Sequence, residues 1–264
     1  MNSVLSFPER GNYGKSSWRG NVSGHVIGEL LNFFRPGLFV DPAEGSGTSR
    51  DVAREKGIEY VGLDLHEGFN LIRDSLIGRL PRPADYVFFH PPYHDMVLYS
   101  GNVWGSQPHP DDLSRCRTRG DFLAKLEVAL LNIYDATRRG GHYSVMIGDL
   151  RRNGDYWSIQ SDIMQIAPGR LEGILVKVQH GATSSRACYG GLFIPIMHEY
   201  ILNFKKDGCV VGMIETGMAV SRKLADLQRA TWRAIVEFAL TRLGERPVSR
   251  SCMTLSKRTR RRGP

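Results

Sequence analysis

Two clusters in this chain have the residue types and spacing to do chemistry. The first is Asp41-Pro42-Ala43-Glu44-Gly45-Ser46-Gly47-Thr48-Ser49. Gly45 and Gly47 lack a Cβ, so the backbone there can turn tightly and approach a ligand closely. Asp41 precedes them, and a second acid, Asp64, follows the next apolar segment. A carboxylate in that place can accept hydrogen bonds from two ribose hydroxyls, so the combination points to a nucleoside cofactor. The second cluster is His90-Pro91-Pro92-Tyr93, where the apolar run Tyr86-Val87-Phe88-Phe89 meets consecutive prolines that cannot continue a sheet ladder. A neutral imidazole at His90 offers one acceptor nitrogen, and an imidazolium offers none.

The residues after Tyr93 are polar and irregular up to about Gly120, as in a long functional loop. His90, His94 and His109 fall near Asp95, Asp111 and Asp112, but no spacing among them fixes a coordination geometry, and no metal is expected. Tyr99, Trp104 and Arg115 in that loop are of types that contact nucleic acid. Lys177, His180, Ser184, Ser185 and Arg186 form a later group read as a loop between late strands that supplies surface or substrate contacts, with Lys177 and Arg186 as candidate nucleic-acid contacts.

The elements that must position these clusters alternate. Val26, Ile27, Leu30, Leu31 and Phe34 recur at helical spacing over Gly24 to Phe34, and Pro36-Gly37 stops them. Strands are expected at Leu38 to Asp41, Glu59 to Leu65, Tyr86 to Phe89, Tyr143 to Ile147, Leu175 to Val178 and Glu199 to Phe204. Helices are expected over Ser49 to Lys56, from Asp121 to a stop at Gly140-Gly141, and over Tyr156 to Ile166. Strands alternating with helices predict an α/β fold with a doubly wound, mostly parallel sheet. In such sheets ligands bind beyond the carboxyl ends of the strands, where both clusters fall.

The chain has 264 residues with 41% hydrophobic content, enough for one sizeable domain, read as residues 1–207. A short strand over Gly208 to Met213 and an amphipathic helix over about Ser221 to Leu243 fall in an extension, 208–247, that either packs on the domain or begins a DNA-holding helix-turn-helix element. A basic tail, 248–264, is read as disordered. The net charge of +8 comes from 35 Lys and Arg against 27 Asp and Glu, and Lys257 to Arg262 alone holds five positive charges. That balance favours a polyanionic partner. Four cysteines without a C-x-x-C pair argue against a zinc module or disulfide framework. No apolar run approaches the ~18 residues of a membrane span, and Met1 to Arg10 lacks the pattern of a signal peptide, so a cytoplasmic protein is expected.

The first cluster resembles the D-P-F-x-G-S-G-T-T cofactor motif of the DNA amino-methyltransferases that act on N4 or N6, and His90-Pro91-Pro92-Tyr93 resembles their catalytic motif, usually Asp, Asn or Ser followed by Pro-Pro-Tyr. Trp18-Arg19-Gly20-Asn21-Val22-Ser23-Gly24 is similar to an extra cofactor-contacting motif of that family, and His198 to Lys206 to its last strand. The likeness runs from about residue 18 to 206. It implies a Rossmann-like fold of the class I S-adenosylmethionine-dependent methyltransferase type, with S-adenosylmethionine held by Asn21, Asp41, Pro42, Ala43, Gly45, Ser46, Gly47 and Asp64. It implies methyl transfer to an exocyclic amino group of a flipped-out base in DNA, adenine N6 or cytosine N4, with adenine slightly preferred; RNA is the alternative partner. His90 and the Pro91 carbonyl would grip the amino hydrogens, Pro92 would hold the loop rigid, and Tyr93 would stack on the base.

His90 departs from the family's Asp, Asn or Ser. An imidazole acceptor with the ordinary histidine value predicts activity that falls as pH drops through about 6.5. The same motif type serves enzymes that methylate RNA bases or protein glutamine, and the basic tail disfavours glutamine. A methylase-derived protein that binds nucleic acid without catalysis is the reading from a different class.

Overall fold

The computed structural model describes residues 1–180 and 194–207. Its sheet has seven strands in the order β1, β8, β9, β5, β4, β2, β3, where β1 is Val4–Ser6, β2 Leu38–Asp41, β3 Glu59–Gly62, β4 Ala84–Phe89, β5 Thr137–Ile147, β8 Arg170–Val178 and β9 His198–Lys205. The pairs β1/β8, β2/β3, β2/β4 and β4/β5 are parallel, and β9 runs antiparallel between β5 and β8. The fold is therefore the doubly wound, mostly parallel, Rossmann-like sheet that the alternating pattern predicts.

Period-two alternation gives the sheet two apolar faces. Leu38, Val40, Val87 and Phe89 turn toward α3 (Arg119–Ala136) and α4 (Ile159–Ile166), where Phe122, Leu126, Leu130 and Ile163 close one core. Phe39, Tyr86 and Phe88 turn to the opposite side and meet Val26, Ile27, Leu30 and Leu31 of α1 (Gly24–Phe34) with Val52 and Ala53 of α2 (Thr48–Glu55). Strands covered on both faces read as continuous apolar runs, which is why β2 and β4 stand out in the sequence.

Several elements differ from expectation for local reasons. Gly140-Gly141 does not stop α3. That helix ends at Ala136, where Thr137 turns extended and its Oγ1 donates to the Ile133 carbonyl at 2.8 Å, and the glycines lie inside β5. The register between β4 and β5 shifts there, and Gly140, with φ of 72°, supplies the left-handed residue of the irregularity. Tyr156 belongs not to a helix but to a hairpin of β6 (Leu150–Arg152) and β7 (Asp155–Trp157). Asn153 and Gly154 turn it with φ of 51° and 90°, the positive pair that a two-residue hairpin favours. The strand from Glu59 ends at Gly62, and Asp64 caps a single turn, Leu65–Glu67, by accepting from the His66 N–H. β1 is too short to carry a sequence pattern. The readings for 208–264, Arg186 and its serine neighbours lie outside the described residues. Among the described residues no helix is long and apolar enough to cross a membrane.

Candidate active site

The sheet delivers the functional ends of β2, β3 and β4 to one edge. Because β9 is reversed, its first residues start at that edge. The buried Asp41, last residue of β2, accepts from the Ala43 N–H at 3.0 Å and from the Ser49 hydroxyl at 2.6 Å, closing the turn into α2. Burial pushes its carboxyl up to about 7, against the lowering effect of those two hydrogen bonds. Gly45 and Gly47 have φ of 56° and 87°. A Cβ on Gly45 would stand 3.1 Å from Nε1 of Trp18, and one on Gly47 2.5 Å from the Arg50 guanidinium.

Asp64 accepts from the N–H groups of Gly45 at 2.8 Å and His66 at 3.0 Å, so it fixes the glycine turn as well as facing the cleft. Two carboxylate oxygens have about four acceptor positions, which leaves capacity for a ribose hydroxyl. Asn21 donates to the Lys15 carbonyl at 2.9 Å and accepts from the Thr48 hydroxyl, tethering the segment before α1 to the first turn of α2. The Trp18 ring lies 5.0 Å from that of His66, and His66 6.4 Å from Trp104, which gives the cleft an aromatic side.

His90 follows β4 directly. Its Nε2 lies 2.8 Å from the Tyr93 hydroxyl, which donates to Oε1 of Glu199 at 2.6 Å; the other carboxylate oxygen accepts from the Lys177 ammonium at 2.8 Å. Burial pushes the imidazole down to about 4, with Lys177 adding to the effect and Glu199 opposing it. Burial also works to raise the Glu199 carboxyl, but the Lys177 charge and the hydrogen bonds from Lys177 and Tyr93 outweigh it and hold the carboxyl below its ordinary range. The expected titration of His90 near 6.5 is thus corrected downward: imidazolium loses hydration among packed protein atoms that the free side chain keeps.

A single cleft enclosing about 960 Å³, its open mouth included, is lined by Asn21, Asp41, Pro42, Ala43, Gly45, Ser46 and Asp64 together with His90, Pro92, Tyr99 and Trp104. Tyr93 does not line it. Its ring lies against Gly148, where a Cβ would come within 2.7 Å of Cε2, and its hydroxyl is held behind His90, so the expected stacking platform is here a strut. Lys177 sits inside β8, within the strand expected at Leu175 to Val178, and pairs with the buried Glu199 rather than standing in a loop. Arg115 donates to the Ser100 carbonyl and pins the loop after Tyr93. Asp112 holds the same loop by accepting from Ser100 N at 2.8 Å, Ser100 Oγ at 2.6 Å and Ser114 N at 2.8 Å. Asp111 and Asp95 are bound to Arg73 and Arg152.

His66 has no place in the sequence pattern, Trp18 enters it only as part of the segment before the first helix, and Glu199 only as the start of a strand. An acid opening an otherwise apolar strand is the one signal that marks Glu199 in advance.

No protein-family model matches the chain, and no curated protein matches it. Among solved structures it is similar to a protein assigned as a DNA modification methylase from Thermus thermophilus, complexed with S-adenosylmethionine, at 18% identity over 53% of this chain and 54% of that one, with a TM-score of 0.36. It is also similar to TrmN from Thermus thermophilus (14% identity, 71% and 50% covered, TM-score 0.37) and to a protein assigned as a hemolysin from Lactococcus lactis (12%, 74% and 91%, 0.43). The chain spans about half the length of the first two. Likenesses this distant leave the reading of the site to the chain's own residues.

Proposed function

We propose that residues 1–207 form an S-adenosylmethionine-dependent methyltransferase that acts on an exocyclic amino group of a base in DNA, adenine N6 or cytosine N4. The observation that carries this reading is the single cleft, which is lined both by residues Asp41 to Ser46 of the glycine turn with Asp64 and by His90 and Pro92. The residues present fit the cofactor. The turn at Gly45 and Gly47 has no room for a Cβ without displacing Trp18 or Arg50, and the buried hydroxyl of Ser46 has no hydrogen-bond partner among the described residues. Asn21, Asp41, Pro42, Ala43, Ser46 and Asp64 would hold S-adenosylmethionine.

Bound there, S-adenosylmethionine would supply an electrophilic methyl group to the amino nitrogen, with the carbon–sulfur pair left on sulfur and one N–H proton passing to solvent. The protein's task is positioning. An aromatic amine is a poor nucleophile because its lone pair is delocalised into the ring. Two acceptors, His90 and the carbonyl of Pro91, would draw the amino hydrogens aside and leave the lone pair aimed at the methyl group. Proline at 91 and 92 fixes φ and brings no competing N–H. The acceptor role needs neutral imidazole, and burial keeps His90 neutral down to about pH 4.

The test is transfer of labelled methyl from S-adenosylmethionine to unmethylated DNA, RNA and protein at about pH 8, with nucleoside analysis of the product. N6-methyladenine or N4-methylcytosine in DNA is the expected result. Label in RNA alone would move the substrate to RNA. Absence of label from every substrate, with DNA binding intact, would replace the reading with a binding-only protein.

A further inference from the structure

We infer that Glu199 and Tyr93 are positioning residues that lock His90 in the Nε2–H tautomer, so that Nδ1 is the lone pair offered to the substrate. This rests on the proposed methyl transfer for its purpose but not for its geometry.

The protons along the chain of hydrogen bonds fix its direction. Lys177 lies 2.8 Å from Oε2 of Glu199 and can only donate, and the carboxylate beside it can only accept. Tyr93 has a single hydroxyl proton, and its oxygen lies 2.6 Å from Oε1 of Glu199, so that proton points at the carboxylate. Toward His90, at 2.8 Å, Tyr93 therefore presents only a lone pair. Nε2 must then be the donor. A neutral imidazole carries one N–H, which leaves Nδ1 bare. Residues from β8, β9 and the loop after β4 thus combine to decide which nitrogen is the acceptor. The hydrogen bond made by one ring nitrogen sets the state of the other in this way at metal sites and in catalytic triads, and no metal is needed for it.

Glu199→Gln inverts the chain of donors with almost no change of shape. Lys177 still donates only, so the amide oxygen must face Lys177 and the amide NH₂ must face Tyr93. Tyr93 then accepts from Gln and donates to Nε2, which drives the imidazole proton to Nδ1. Nitrogen NMR of histidine-labelled full-length protein, with His90 assigned by the signals lost in His90→Phe, reads the tautomer directly. The wild-type protein is expected to show a pyrrole-type Nε2 and a pyridine-type Nδ1, and E199Q the reverse. In E199Q, kcat for methyl transfer is expected to fall on the order of 100-fold, with the KM for S-adenosylmethionine unchanged.

A pyridine-type Nε2 in the wild-type protein overturns the inference, and that measurement does not depend on any variant folding. An unchanged tautomer in folded E199Q overturns the part given to Glu199. The methyl-transfer assay stands apart: no label on any substrate, with the expected tautomers, removes the proposed function and leaves the lock intact, whereas label with the wrong tautomer does the opposite.

Discussion

The proposed cofactor end and the proposed catalytic end of the site are held by different physics. At the cofactor end, Asp41, Ala43, Gly45, Ser49 and Asp64 lie within one βαβ unit, and the turn is shaped by backbone N–H groups and positive-φ glycines. At the catalytic end, His90, Tyr93, Lys177 and Glu199 come from distant parts of the chain, and side-chain hydrogen bonds around one buried carboxylate hold them. A local backbone turn tolerates changes in its surroundings but not in its glycines. A long-range buried network tolerates neither loss of a charge nor displacement of a ring, because each unpaired member keeps its desolvation cost.

Removing His90 should give the largest separation between the two ends. His90→Phe keeps a planar ring of similar size and removes the acceptor, so kcat is expected to fall by about 100- to 1000-fold. Affinity for S-adenosylmethionine, measured by calorimetry, is expected to stay unchanged. If affinity falls in step with kcat, the two ends are one cooperative unit and the comparison fails.

The next effect is in pH, where the two ends pull in opposite directions. Burial lowers His90 from 6.5 to about 4, so its folded form resists a proton that the unfolded chain accepts. The stability tied to neutral His90 is present above 6.5 and lost as pH falls toward 4, about 3 kcal/mol in all. Burial raises Asp41 from 3.8 to about 7, so its contribution is present below 3.8 and is lost as pH rises toward 7. Between about pH 4.5 and 6 the slopes of these two groups nearly cancel. In His90→Phe the Asp41 slope is no longer offset by His90, and stability should fall by about 1 kcal/mol for each pH unit gained over that range, with Glu44, also raised by burial, acting in the same direction. Denaturant titrations of both proteins at several pH values measure this. A flat profile in the variant would show that Asp41 is ionised in the folded protein. The rate of methyl transfer should hold to about pH 5 and fall through about 4, rather than through 6.5.

A smaller effect belongs to the glycine turn. Gly47→Ala forces an L side chain into φ of 87° and brings its Cβ to 2.5 Å from Arg50, whose guanidinium can move aside. What cannot move is the backbone, at about 1–2 kcal/mol. That cost should appear as a drop in melting temperature of roughly 2–8 °C and as weaker cofactor binding. The maximal rate with saturating cofactor should be nearly that of the unaltered protein, the reverse of the His90→Phe pattern.

This contrast also explains what the sequence makes legible. α1 and β2 begin and end where apolar spacing and Pro36-Gly37 put them, because each signal lies within the element it marks. Asp41 and Asp64 declare themselves by standing at the ends of strands flanking a glycine turn. Glu199 has no such neighbour: its partners lie 22 and 106 residues away, and only the reversal of β9 brings it to the functional edge. Lys177 reads as a surface cation for the same reason, since nothing within β8 shows that Glu199 faces it across the ladder. The Asn153-Gly154 hairpin is legible but outweighed, because the apolar residues after it continue smoothly into the pattern of α4.

Gly148 offers the finest division between the two ends. It follows β5, and it sets how closely the Tyr93 ring can approach the strand. A methyl group there would stand 2.7 Å from Cε2 and 3.1 Å from Cδ2, closer than packed carbon atoms tolerate, so the ring must shift by a few tenths of an ångström. The hydroxyl rides on that ring, so a displacement alters the 2.8 Å contact to His90 and the 2.6 Å contact to Glu199 together. Gly148→Ala is therefore expected to reduce kcat by about tenfold, within the range a misplaced support produces. Cofactor affinity should not change. A crystal structure of the variant with Tyr93 displaced and kcat unaltered would mean that the strut can move without moving the acceptor, and that His90 is positioned by Pro91 and Pro92 rather than from behind.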